Sequence, residues 1–272
     1  MKMIFLSLLT FLVSCATKKD LSTKISDLSW DGFSDESYAR WDEQRLAKTL
    51  SSDKTISKCH LGKTSEALKD YRQQYLTKDK NPFYWLHIGN CFSLQQNFNQ
   101  AEFFYRLTIE ETKFSSVQAL AQNNLGDIYL KYAQWEKARD AFKKAIELNP
   151  KARVPKFNLA QVYLQFGQTN KALRLLQDDS FKKIQDIGLF HSLALAWLAK
   201  GNISKADEYI KKIPEQFHSR DDIALTATLY HLKKGEFKEA ETFLKNRTQA
   251  SNPESNQIAK RIEALLEKRA RK

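Results

Sequence analysis

No two histidines in this sequence stand at a short metal-binding interval: His60, His87, His191, His218 and His231 are scattered, and no HExxH occurs. A zinc site needs ligands that one helix or turn can bring together, so no metal is expected. A GxSxG turn is missing, and the SxxK spacing of Ser51 and Lys54 has no SDN or KTG to accompany it. Gly62-Lys63-Thr64 has the ending of a phosphate-binding loop, but Ser57 stands where that loop's first glycine belongs. Carboxylates are many and dispersed, which nominates no general acid and base pair. The chain therefore reads as no enzyme, with no cofactor and no small-molecule substrate. Long apolar runs are equally scarce. The only one, from Met3 to Val13, is too short to span a bilayer as a permanent helix.

What is present begins with that run. Lys2 precedes it and Leu12-Val13-Ser14-Cys15 closes it, so residues 1–14 read as a secretory signal. The closing tetrad resembles the lipobox of bacterial lipoproteins. That resemblance implies cleavage before Cys15, acylation of Cys15 with palmitate-type chains, and stable anchoring, because several acyl chains hold a membrane far more firmly than one. Ala16 stands in place of the aspartate that retains many such lipoproteins at the inner membrane. The implied location is the outer membrane, facing the periplasm, or the cell membrane of a host that has only one. Export removes nucleic acid from the partners that a net charge of +12 would otherwise invite, leaving anionic headgroups, acidic polymers and acidic proteins. Residues 15–33 read as a lipidated tether, and Tyr38, Trp41, Leu46 and Leu50 suggest a capping helix beginning near Ser34.

The alanines reveal a repeat. Ala67, Ala101, Ala138, Ala172, Ala206 and Ala240 follow one another at intervals of 34, 37, 34, 34 and 34 residues. Five residues before each stands Gly62, Gln96, Ala133, Gly167, Gly201 or Gly235, so four of the chain's eight glycines fall where a tight turn between helices needs a positive φ. The clearest copy runs from Ala119 to Ala152. Leu125, Gly126, Tyr129 and Trp135 mark its first half, and Ala138, Phe142, Ala145 and Pro150 its second. Those spacings put apolar residues on one face of each of two helices, with small residues where the helices cross. This pattern resembles the tetratricopeptide repeat, down to the closing Asn149-Pro150.

The expected fold is all-α, a right-handed superhelical solenoid of about six helical hairpins with a C-terminal capping helix. Expected repeats are 48–81, 82–115, 119–152, 153–186, 187–220 and 221–252, with a three-residue insertion near Ser115 to Gln118. Lys54 and Lys58 fall on apolar positions of the first repeat, and Asp179 on a small-residue position of the fourth, whose second helix is expected to end early. Residues 253–272 form the cap: Pro253 opens a helix, and Ile258, Ile262, Leu265 and Leu266 give it an apolar stripe. A hairpin buries its apolar face only against its neighbours, so both ends of the stack need covers.

In the resembled family, the first helices of successive hairpins line a groove that binds extended peptides or partner helices. Carried over position by position, the lining is Phe83, Leu86, Asn90 and Leu94, then Asn123, Asp127, Leu130 and Lys131, then Phe157, Gln161 and Leu164, then His191 and Leu198. The amides of Asn90, Asn123 and Gln161 are suited to bonding a peptide backbone. One second-helix position reads Arg72, Arg106, Lys143, Gln177, Lys211 and Lys245, a cationic stripe suited either to solvent or to anionic headgroups. With Cys15 acylated, Cys59 and Cys91 remain as a candidate disulfide on neighbouring first helices, with the pairing left open by the sequence.

Anchor and repeat together resemble two groups of outer-membrane lipoproteins. One is the pilotins, which help the secretin ring of type IV pili assemble. The other scaffolds peptidoglycan hydrolases. Both imply an envelope protein as partner, a secretin or a peptidoglycan enzyme, with the membrane contacted through the N-terminal lipid. A structural lipoprotein resting on the membrane through the cationic stripe is the remaining alternative.

Overall fold

The computed structural model describes residues 55, 58–59, 61–77, 82–248 and 253–270. The signal, Cys15, the tether and the N-terminal capping helix lie outside the described residues. Among those described, every regular element is helical: α1 (Thr64–Thr77), α2 (Tyr84–Leu94), α3 (Phe98–Glu111), α4 (Ser115–Lys131), α5 (Trp135–Leu148), α6 (Arg153–Gln165), α7 (Thr169–Leu176), α8 (Ile187–Ala199), α9 (Ile203–Ile210), α10 (Asp221–Lys234), α11 (Phe237–Lys245) and α12 (Pro253–Ala270). Single 3-10 turns, Asp179–Phe181 and Glu215–Phe217, follow α7 and α9. The chain divides into two compact units that meet at Leu159 and Ala160, within α6. All-α helical hairpins build both.

In the N-terminal unit, α2 pairs with α3 and α4 with α5. Gly89 and Gly126 let the paired helices close up. A methyl group on Gly89 would sit 2.7 Å from the Tyr105 ring, and one on Gly126 would overlap the Phe142 ring. Ala67, Ala101 and Ala138 are fully buried at the same crossings, where any larger side chain would force the helices apart. The extra residues of the third repeat lengthen α4 to 17 residues, against 11 for α2. Cys59 and Cys91 are joined by a disulfide, with Cα atoms 5.2 Å apart, which ties the start of the first hairpin to α2.

In the C-terminal unit the hairpins are the end of α6, from Ala160, with α7, then α8 with α9 and α10 with α11, again with buried alanines, Ala172, Ala206 and Ala240, at the crossings. Helix α7 ends after eight residues, and its connection to α8 runs through the 3-10 turn at Asp179. Helix α12 starts at Pro253 and lays Ile258, Ala259, Ile262 and Leu266 over Leu225, Leu229 and Leu244. Leu265, expected in that stripe, stays 53% exposed, because one residue's 100° rotation from Leu266 carries it off the buried face.

The six turn positions share one backbone conformation. Gly62, Gly167, Gly201 and Gly235 have φ between 68° and 81°, and Gln96 and Ala133 follow at 61° and 54°. The turn therefore dictates a left-handed residue whatever the side chain, at a strain of about 1–2 kcal/mol where a Cβ is present.

Candidate protein-binding face

The first helices carry a polar ladder. Counted back from the turn residue, the side chain six positions earlier meets the one nine positions before the next turn. In the N-terminal unit, Asn124 Nδ2 donates to Asn90 Oδ1 at 2.9 Å, and Asn158 Nδ2 to Asp127 Oδ1 at 3.3 Å. In the C-terminal unit, Gln161 Nε2 donates to Ser192 Oγ at 2.7 Å. A second link runs from the residue ten before one turn to the residue nine before the next. Asn158 Nδ2 donates to Asn123 Oδ1 at 3.1 Å, and His191 Nε2 lies 2.8 Å from Thr226 Oγ1. Tyr105 extends the ladder by donating to Asn90 Oδ1 at 2.8 Å, and burial pushes its phenol up, so it stays a donor.

These bonds change how the expected groove residues are used. Asn90 and Asn123 do not offer free amides to a ligand, because their side chains are buried and bridge neighbouring helices. Leu86, Leu130, Phe157, Leu164 and Leu198 are likewise buried, since apolar residues on closely stacked first helices gain more by packing than by facing solvent. Asp127 and His191 are buried within the ladder. Phe83, Leu94 and Lys131 remain half-buried. Lys131 places its ammonium 5.2 Å from the Phe98 ring centre.

Gln161 differs from the two asparagines. Ser192 gives its hydroxyl proton to the Gly188 carbonyl at 2.6 Å, so its oxygen must accept from Gln161, which fixes the amide with Nε2 toward Ser192. The carbonyl Oε1 of Gln161 is then left buried with no hydrogen-bond partner, and Gln165, one helical turn on, holds a second such carbonyl. A buried acceptor without a donor costs about 1–3 kcal/mol. Both oxygens are enclosed, so the amides of this helix, like those of Asn90 and Asn123, face packed neighbours and not open solvent.

The ladder residues Asn124, Asn158, Ser192 and Thr226 were not among the expected site residues. The signal that finds them is a polar side chain nine residues before the turn in four successive repeats. His191 and Asp222 form a buried pair in the C-terminal unit, 3.7 Å apart at Nδ1 and Oδ2. Burial lowers the His191 pKa, favouring the neutral ring. Burial opposes the Asp222 charge as well, yet the His191 and Arg220 charges outweigh it and hold the carboxyl below its usual range. The Arg220 guanidinium grips Asp222 at 2.6 and 2.8 Å.

The cationic stripe is largely neutralised on its own helices. Arg106 pairs with Glu102 at 2.8 Å, Lys211 with Asp207 at 2.6 Å and Lys245 with Glu241 at 2.7 Å, each one turn earlier. Arg72 and Lys143 are exposed. Exposed pairs of this kind hold little energy, but they cancel the field that a headgroup contact would use. Among the described residues, no three His, Cys, Asp or Glu side chains gather as a metal ion would require. No described helix is long and apolar enough to cross a membrane.

Residues 119–152 match the tetratricopeptide repeat family. The fold is similar to that of the APC/C hetero-tetramer Cut9-Hcn1, with a TM-score of 0.61 and 14% identity over 80% of this chain and 42% of that one, so this chain spans less than half the length of that relative. It is also similar to PilW, a widely conserved type IV pilus biogenesis factor, with a TM-score of 0.57 and 18% identity over 75% of this chain and 94% of that one. YrrB, a repeat protein of this type with an unusual peptide-binding site, gives a TM-score of 0.53 and 19% identity over 65% of this chain and 89% of that one. At these identities the likeness is one of fold. No curated protein sequence matches the chain.

Proposed function

We propose that this chain is a lipid-anchored interaction scaffold of the bacterial envelope, and that the protein it holds is a secretin-type ring subunit, as a pilotin would. The observation that carries the binding role is the stack of first helices on which Phe83, Leu94 and Lys131 stay partly exposed, in a fold shared by YrrB, a repeat protein with a peptide-binding site. Three further features support the envelope reading. The signal and lipobox at Leu12 to Cys15 address the chain to a membrane surface. The Cys59–Cys91 disulfide is of a kind that persists in oxidising compartments. A pilus biogenesis factor shares the hairpin fold over nearly its whole length.

The test is a strain lacking the gene, complemented by wild type or by Cys15→Ser. Loss of secretin multimers, restored by wild type and not by Cys15→Ser, is the expected result. Normal multimers in the deletion strain contradict the pilotin role and turn attention to peptidoglycan enzymes.

A further inference from the structure

Cys59 and Cys91 lie 32 residues apart in the sequence, and the bond between them closes a loop that holds all of α1 and the first two turns of α2. A pull that reaches Cys59 from the N-terminal side therefore crosses to α2 through the two sulfurs. No tension runs along the backbone of the enclosed loop. Gln95 Nε2, at the end of α2, donates to the Cys59 carbonyl at 3.2 Å, a second tie at the same residue. Both cysteines are fully buried and pack with Ala67, Tyr71 and Ile88, so a thiol from solution reaches the bond only when the hairpin opens.

The bond delivers load to a well-connected point of α2. Asn90, beside Cys91, accepts through one oxygen from Tyr105 of α3 at 2.8 Å and from Asn124 of α4 at 2.9 Å. Gly89, the residue before, is wedged against the Tyr105 ring. Helix α1 is tied to the segment before it by weaker, partly exposed links, Lys58 with Asp70 at 2.5 Å and Gln74 with Thr55 at 3.3 Å. Each hairpin of such a stack is held only by its neighbours, so a pull from one end strips the hairpins nearest that end first.

We propose that the Cys59–Cys91 disulfide is a load-bearing strut, which passes tension from a membrane-held N-terminus straight to α2 and the polar ladder and keeps the first hairpin out of the load path. The source of the load, a lipid at one end and a bound partner at the other, rests on the anchored scaffold proposed above. A scaffold pulled between the two would lose α1 first without the bond. With it, α1 stays packed over α2 while the stack carries the load, and the first element to feel the pull is the one bonded to both α3 and α4.

Optical-tweezer extension of the full chain carrying Cys15→Ser tests it, with a handle on each terminus. That chain takes no lipid, so the result is separate from the fate of the anchor. Oxidised protein should give its first rupture at clearly higher force than protein in dithiothreitol. In dithiothreitol, and in Cys59→Ala plus Cys91→Ala, a new low-force step should appear and the total extension should grow by about 100–110 Å, the length of the freed loop. With the N-terminal handle moved to Ser116, exposed at the start of α4, the bond lies outside the load path and reduction should leave the rupture force unchanged. Equal first-rupture forces in oxidised and reduced protein pulled from its ends overturn the proposal. So does an equal drop on reduction when the pull starts at Ser116, which would make the bond a general stabiliser of the unit.

Discussion

The two units solve one packing problem with different chemistry. Inside the N-terminal unit, neighbouring first helices are joined through Asn90, Asn123, Asn124, Asp127 and Asn158, and two of its turns force a side-chain-bearing residue to positive φ. Inside the C-terminal unit the links are Gln161 to Ser192 and His191 to Thr226, and the turns are glycines. Their outer ends differ as well. A disulfide ties the first hairpin, whereas the last is closed by α12 and by Arg247, which bonds Asp221 at 2.5 Å and Asn256 at 3.0 Å. Ser255 also donates to Asp221, and Thr248 caps the Ser219 carbonyl. Repeat geometry fixes where a polar link must be, and leaves the choice of partners open. One unit is thereby sensitive to reductant and the other to charge.

The largest effect is expected at the charged end. Asp221→Ala leaves Arg247 buried without its partner and should cost the C-terminal unit about 3–5 kcal/mol in urea unfolding. Amide exchange should rise along α12 and stay unchanged along α2 and α3. Next comes the disulfide. Reduction, or Cys91→Ala, should remove about 2–4 kcal/mol from the N-terminal unit, seen as faster exchange in residues 61–77 with none in α10 to α12. Asn158→Ala leaves Asn123 Oδ1 and Asp127 Oδ1 without the donor they share and should cost about 1–3 kcal/mol by chemical denaturation.

Acid should separate the units further. His191 has a folded pKa below its unfolded value, near 6.5, so the folded state binds fewer protons there and its stability is fully present above that pH. As pH falls below about 6.5, the C-terminal unit should lose stability, and His191→Gln should flatten that slope. Asp222, also lowered, adds a loss at still lower pH, below its usual range near 3.8. The smallest change is at the turns. Ala133→Gly should stabilise by about 1 kcal/mol, and Gly201→Ala should destabilise by a similar amount, because φ there is positive in both.

Much of the fold was legible in the sequence because the constraints are local. A buried alanine at every crossing and a left-handed residue at every turn repeat at a fixed interval, and neither depends on knowing the neighbouring hairpin. The candidate face was legible only in part. Asn90, Asn123 and Gln161 occupy repeat positions that the sequence identifies, yet whether an amide meets a ligand or the next helix depends on how far adjacent helices slide past one another. That offset brings the residue six before one turn against the residue nine before the next, and it became visible only with both helices in place. The cationic stripe stayed open between solvent and headgroups for a simpler reason. Glu102, Asp207 and Glu241 sit one turn before Arg106, Lys211 and Lys245, and reading one repeat position alone overlooks them.

The central claim is that the ladder holds the hairpins together and leaves the partly exposed first-helix residues Phe83, Leu94 and Lys131 to hold a partner. Leu94→Ser plus Lys131→Glu touches no ladder bond and should change stability by about 1 kcal/mol. The deciding measurement is capture of the secretin from host envelopes by tagged wild type and the tagged double variant, with thermal unfolding of both. The account predicts an intact fold with capture sharply reduced in the variant. Capture equal to wild type by an equally stable variant would contradict it.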